Sequence, residues 1–100
     1  MGLPDFKTLA AEVYEAIRVL ESGDLAECIE RCRRIVAEVR GSRAFGHVSK
    51  LVEPFLRHVD EYGLPSGGDR EIFVEELREY LRLLGMALRE LAGEGRAGNG

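Results

Sequence analysis

Apolar positions recur at three- and four-residue spacing through four separate stretches of the chain. In the first, Phe6, Leu9, Ala10, Val13, Ile17 and Leu20 return to one side of a helix of roughly residues 5–21, because 3.6 residues complete each turn. Pro4 and Asp5 suit its start. The run "ESGDLAE" then closes one helix and opens the next. Gly23 can take the left-handed conformation that ends a helix and Asp24 can cap its successor, with Glu27 three residues on completing a capping-box pattern. So short a turn predicts an antiparallel hairpin.

The second helix, about 25–40, carries Leu25, Cys28, Ile29, Cys32, Ile35, Val36 and Val39 on one face and stops at Gly41. A third runs from Ser42 or Arg43 to Tyr62, with Phe45, Val48, Leu51, Val52, Phe55, Leu56, Val59 and Tyr62 on its apolar side. Pro54 lacks an amide hydrogen and crowds the carbonyl four residues earlier, so the spacing predicts a kink near Leu51–Glu53 or two shorter helices meeting there. Gly63 and Pro65 end the segment. After the loop "GLPSGG", Asp69 is placed to cap a fourth helix that runs to about Ala92. Nothing alternates with a period of two. The fold class is therefore all-α: a four-helix bundle of antiparallel hairpins in one domain, residues 1–92, followed by a tail, residues 93–100, with nothing to bury and expected to be disordered.

Helix four is apolar on more of its circumference than the others. Phe73, Leu77, Tyr80, Leu84, Leu88 and Leu91 form one stripe, while Ile72, Leu83 and Met86 lie about 100° away. Two readings stand for that second set. Either the helix is central and touches neighbours on two sides, or Ile72, Leu83 and Met86 meet a protein partner or a second copy of the chain.

Composition narrows the classes. One hundred residues, 45% hydrophobic and 32% charged, suffice for one modest core. The short apolar runs and the unremarkable start "MGLPDFKTLA" predict neither a membrane span nor a signal peptide. The expectation is a soluble, cytoplasmic protein with no membrane partner. Net charge is −4, which opposes indiscriminate binding of nucleic acid. The charge is unevenly spread, however. Arg31, Arg33, Arg34, Arg40, Arg43 and Lys50 face a single acidic residue, Glu38, between positions 31 and 50. Such a segment is a candidate patch for a phosphate backbone or an acidic partner. The other reading is a solvated face held by Glu27–Arg31 and Glu30–Arg34, which are favourable four-apart pairs.

Candidate chemistry is sparse. Residues four apart on a helix hold their Cβ atoms ~5–6 Å apart, whereas a disulfide wants ~3.5–4.5 Å, so Cys28 and Cys32 are not expected to bridge. The one complete soft or imidazole set for zinc would join them to His47 and His58. On an unbroken helix those histidines stand ~16 Å apart along the axis, so no metal and no cofactor is expected, and the cysteines read as small apolar packing groups. "PSGGD" lacks the lysine and the order of a nucleotide loop. Ser22, Ser42 and Ser66 read as turn caps, and Glu75, Glu76, Glu79, Arg78 and Arg82 as a solvated face.

Two resemblances bear on function. "RGSRAFGH", Arg40 to His47, resembles the Arg-then-His signature of HEPN-type helical ribonucleases, with Gly41 where that family usually carries a polar residue. The resemblance implies metal-independent action on RNA across a dimer, with Arg40 and His47 at the matching positions. "YEAIRVLESGDLAECIERCRRIV", Tyr14 to Val36, is similar to one hairpin of tetratricopeptide-type or microtubule-interacting-and-transport-type modules, and implies the holding of peptides or partner proteins. The sequence thus favours a non-enzymatic interaction module, self-associating or docking a partner through helix four. The alternative is a nucleic-acid-associated protein using the Arg31–Lys50 segment, with a HEPN-like ribonuclease as its enzymatic form.

Overall fold

Four helices appear where the apolar spacing places them: α1 Phe6–Glu21, α2 Leu25–Val39, α3 Phe45–Tyr62 and α4 Gly67–Ala97. The computed structural model describes the backbone of residues 5–97 and the side chains of residues 5–93. α1 packs against α2 and α4, and α3 against the same two. The result is an up-down ring of antiparallel neighbours measuring 50 × 22 × 18 Å.

Local chemistry sets the helix ends. The Asp5 carboxylate accepts from the Lys7 amide at 3.1 Å and from the Thr8 hydroxyl at 3.0 Å, satisfying donors that a first turn leaves free. Gly23 closes α1 at φ +97°, a conformation that a Cβ disfavours. Asp24 then caps α2 through the Glu27 amide at 3.1 Å. The reciprocal half of the capping box is absent, because the Asp24 N–H is taken by the Val19 carbonyl at 3.2 Å. The Glu27 carboxylate turns instead to Arg31, 3.1 Å away, and Arg34, 3.7 Å away. Ser42 does not start α3. Its hydroxyl donates to the Val39 carbonyl at 2.8 Å and accepts from the Ala44 amide at 3.2 Å, tying the end of α2 to the turn.

α3 runs through Pro54 as one helix, not as two shorter ones. Val48, Val52 and Leu56 hold its buried side, while Pro54 and Lys50 are both exposed. The carbonyl that Pro54 leaves without a helical partner is that of Lys50, at a solvent-facing position, so water can replace the lost bond. α4 also continues beyond the expected Ala92 to Ala97, since each added residue of an established helix gains a backbone hydrogen bond. Residues 98–100 of the expected tail lie outside the described residues.

The core is wholly apolar among the described residues, with no buried polar or charged side chain. Cys28 and Cys32 belong to it, at 0% and 1% exposure. The two are free thiols, and the Cys32 thiol is held well above the ordinary cysteine value, first by its hydrogen bond to Cys28 and then by burial. A thiol so placed stays protonated and unreactive. His47 and His58 stand exposed on α3, while the thiols are enclosed.

Gly85, inside α4, sets how that helix sits. A Cβ there would come within 2.9 Å of Tyr14 Cζ, so the bare backbone receives the α1 tyrosine. Two residues back, Leu83 points ~200° round the helix, to the opposite side.

Candidate protein-interaction surface

The side of α4 away from Tyr14 is left uncovered. Ile72 is 61% exposed, Leu83 46% and Met86 56%, so the second apolar set does not contact a neighbouring helix as a core stripe would. Leu83 and Met86 are a three-apart pair, adjacent on one face. Ile72 lies eleven residues before Leu83, ~16 Å along the axis, and borders a separate feature, the groove between α3 and α4.

That groove has a volume of about 960 Å³, and its lining includes Tyr62, Leu64, Ile72 and Tyr80. Aromatic rings form its floor. The Phe55 ring stands with its centroid 5.3 Å from those of both Phe73 and Tyr80, near perpendicular to each. The His58 ring lies 5.0 Å from Tyr62 and 5.6 Å from Phe73. Edge-to-face packing orders the rings of Phe55, Phe73 and Tyr80, while Tyr62 and Tyr80 keep exposed surface. Asp69 and Glu76 stand on the α4 wall, Lys50 on the α3 wall.

Sequence patterning missed part of this surface. Tyr62 and Tyr80 fall at core positions by spacing, yet Tyr62 is 71% exposed and Tyr80 38%. Tyr62 is the last residue of α3, where no following turn covers it, and tyrosine tolerates a wet hydroxyl edge. Leu64, 44% exposed, sits in the connecting loop and belongs to no period. Helix-end aromatics beside a Gly-Pro loop were the available signal.

The basic segment does not gather on one face. Arg31 and Arg34 border a small recess with Glu12 on α1, where burial first and then a hydrogen bond to Glu38 raise the Glu12 carboxyl above its ordinary value. Arg33 turns to the other side of α2, bonding Asp60 on α3 at 2.7 Å and lying 3.3 Å from Glu30. The Arg33 guanidinium beside Asp60 holds that carboxyl below the usual range. The expected Glu30–Arg34 pair is thus replaced by Glu30–Arg33, because Arg34 reaches back to Glu27. Arg40, the cap residue of α2, shares a cleft of about 390 Å³ with Arg33, Arg57, Glu53 and Asp60. Arg43 lies over the Phe6 ring at 5.4 Å, a cation–π contact, and Lys50 belongs to the α3–α4 groove. Phe45, the one aromatic in the segment, is half-buried against the core. Arg40 and His47 are both exposed and flank the α2–α3 turn.

No family model, curated protein or solved structure matches the chain. No described helix is long and apolar enough to cross a membrane.

Proposed function

We propose that this chain is a helical protein-interaction module whose working surface is the α3–α4 groove together with the outward face of α4. One observation carries the reading. Among the described residues, the exposed large hydrophobic side chains, Tyr62, Leu64, Ile72, Tyr80, Leu83 and Met86, all come from the stretch 62–86, and none from α1 or α2. Scattered apolar residues on a surface are ordinary, whereas a concentration along one groove and one helix face is the mark of a contact surface. Aromatic and methionine side chains are also the types enriched in such surfaces.

The α1–α2 hairpin supports a scaffold role. Its apolar positions are spent on the bundle's own core, so it offers no open concave face of the kind that repeat modules use. A nucleic-acid role has less support, since Arg31, Arg33 and Arg34 are engaged by carboxylates and, of the six basic residues, Lys50 alone shares a groove with exposed aromatic rings of the kind that stack bases.

The test begins with a protein that co-purifies with the chain, expressed alone and titrated against it. Binding should survive substitutions on α1 and α2 and be lost in Leu83→Glu/Met86→Glu, with the helical circular dichroism unchanged. Equal binding by the double variant would place the contact elsewhere and end the proposal.

A further inference from the structure

Resting on that reading, we infer that the outward face of α4 docks a cationic amphipathic helix of another protein. The exposed positions of α4 fall into two adjacent rows at seven-residue spacing. Asp69, Glu76, Leu83 and Glu90 make one row; Ile72, Glu79 and Met86 make the other. Seven residues fall just short of two helical turns, so paired rows of this kind form a continuous seam along a helix, the geometry by which one helix lies against another. All seven side chains are exposed. The seam carries three apolar anchors, with a carboxylate between or beside each.

The charges of α4 are sorted by side. Arg82 pairs with Glu21 of α1 at 3.8 Å, and Arg78 and Arg89, four and seven residues away, share that edge by helical spacing. No basic residue falls on the seam. Asp69, Glu76, Glu79 and Glu90 form no ion pair among the described residues, Lys50 on the facing wall of the groove included, so their carboxylates are left available to a partner.

This arrangement chooses between occupants. A second copy laid parallel in register sets every seam carboxylate beside its counterpart. Laid antiparallel about the seam's centre, it sets Glu79 against Glu79, with both Glu76 side chains a turn away. Like charges facing each other across a contact disfavour that pairing. A helix carrying Leu or Ile opposite Ile72, Leu83 and Met86, and Lys or Arg opposite the four carboxylates, meets both the apolar and the charged positions. The groove beside the seam, with Tyr80 and Leu64 in its walls, gives such a helix a second apolar edge.

Three synthetic peptides test this against the full chain. One carries a seven-residue repeat of Leu anchors and Lys set to face the seam; the second replaces Lys by Glu; the third scrambles the first so that no apolar face forms. The first should bind, weaken with added salt, and weaken about three- to tenfold for Glu76→Gln/Glu79→Gln, the size of two exposed charge pairs. Leu83→Glu should abolish binding. Failure of the first peptide to bind overturns the inference, as does equal binding by the scrambled peptide. Equal binding by the Glu peptide overturns the cationic partner while leaving the interaction surface standing. A dimeric solution mass that Leu83→Glu converts to monomer names a second copy as occupant and refutes the inference on different grounds.

Discussion

Gly85→Ala separates two opposed effects whose sizes can be set from the structure. In a helix interior alanine is favoured over glycine by about 1 kcal/mol, so propensity alone makes the substitution stabilising. The new Cβ, however, would lie 2.9 Å from Tyr14 Cζ, 3.1 Å from Oη and 3.2 Å from Cε1. Carbon atoms pack best at ~3.5–4.0 Å, so the ring must withdraw by roughly 0.6–1 Å. Tyr14 is half-buried and its ring tip can swing outward, at an overpacking cost of about 1–3 kcal/mol. The single variant should therefore lie between neutral and about 2 kcal/mol destabilised. The double-mutant cycle with Tyr14→Ala is sharper, because removing the ring leaves only propensity. In that background Gly85→Ala should stabilise by about 1 kcal/mol, giving a coupling of about 1–3 kcal/mol between the sites. Urea unfolding followed by circular dichroism reads all four variants. If Gly85→Ala stabilises equally with and without Tyr14, α1 and α4 do not approach as described, and the outward facing of Leu83 loses its cause.

Other consequences follow from burial and charge. Leu84 is fully buried and Leu83 is 46% exposed, so Leu84→Ala should cost about 2–5 kcal/mol and Leu83→Ala less than about 1; equal costs in urea unfolding would mean that Leu83 is covered. The Glu12 carboxyl is raised in the folded chain, so its stabilising contribution is present below its unfolded value and is lost as pH rises through the raised one. At neutral pH, Glu12→Gln should then stabilise by roughly a few tenths of a kcal/mol, a gain kept small by solvent screening. That gain should vanish in acid, below about pH 4, and an identical gain at both pH values would refute the assignment. Cys28 and Cys32, both enclosed in the core, should react with a disulfide reagent only as fast as the bundle opens, and a rapid native-state reaction would show that the thiols are reachable.

The sequence was most legible where one residue's own chemistry decides the outcome. Gly23 with Asp24 marks a helix end and start whatever packs nearby, and the Cys28–Cys32 spacing already placed both thiols on a core stripe. Pro54 was harder. Its effect depends on which side of α3 it occupies, and on the exposed side the helix passes through. Side-chain partners were less legible still, since Glu27 had three claimants and the choice of Arg31 and Arg34 over its own cap depends on the Val19 carbonyl. For the surface, periodicity isolated Ile72, Leu83 and Met86 as a second set but could not distinguish a central helix from an uncovered one. Tyr62, Leu64 and Tyr80 escaped because the groove exists only once α3 and α4 are set side by side. The basic segment looked continuous in the chain, but a helix distributes consecutive residues around its circumference, which sends Arg33 and Arg34 to different sides of α2.

If the outward face of α4 is a contact surface for a protein, a partner lies within reach of its exposed side chains. Photo-cross-linking in cells tests it most directly, with the reactive residue placed in turn at Ile72, Leu83 and Met86, and at Ala11, Ala26 and Ala37, which are exposed on α1 and α2. One discrete cross-linked product should be shared by the three α4 positions and absent from the three alanine positions. The same product from all six sites, or a discrete product from the α1 and α2 sites alone, would contradict it.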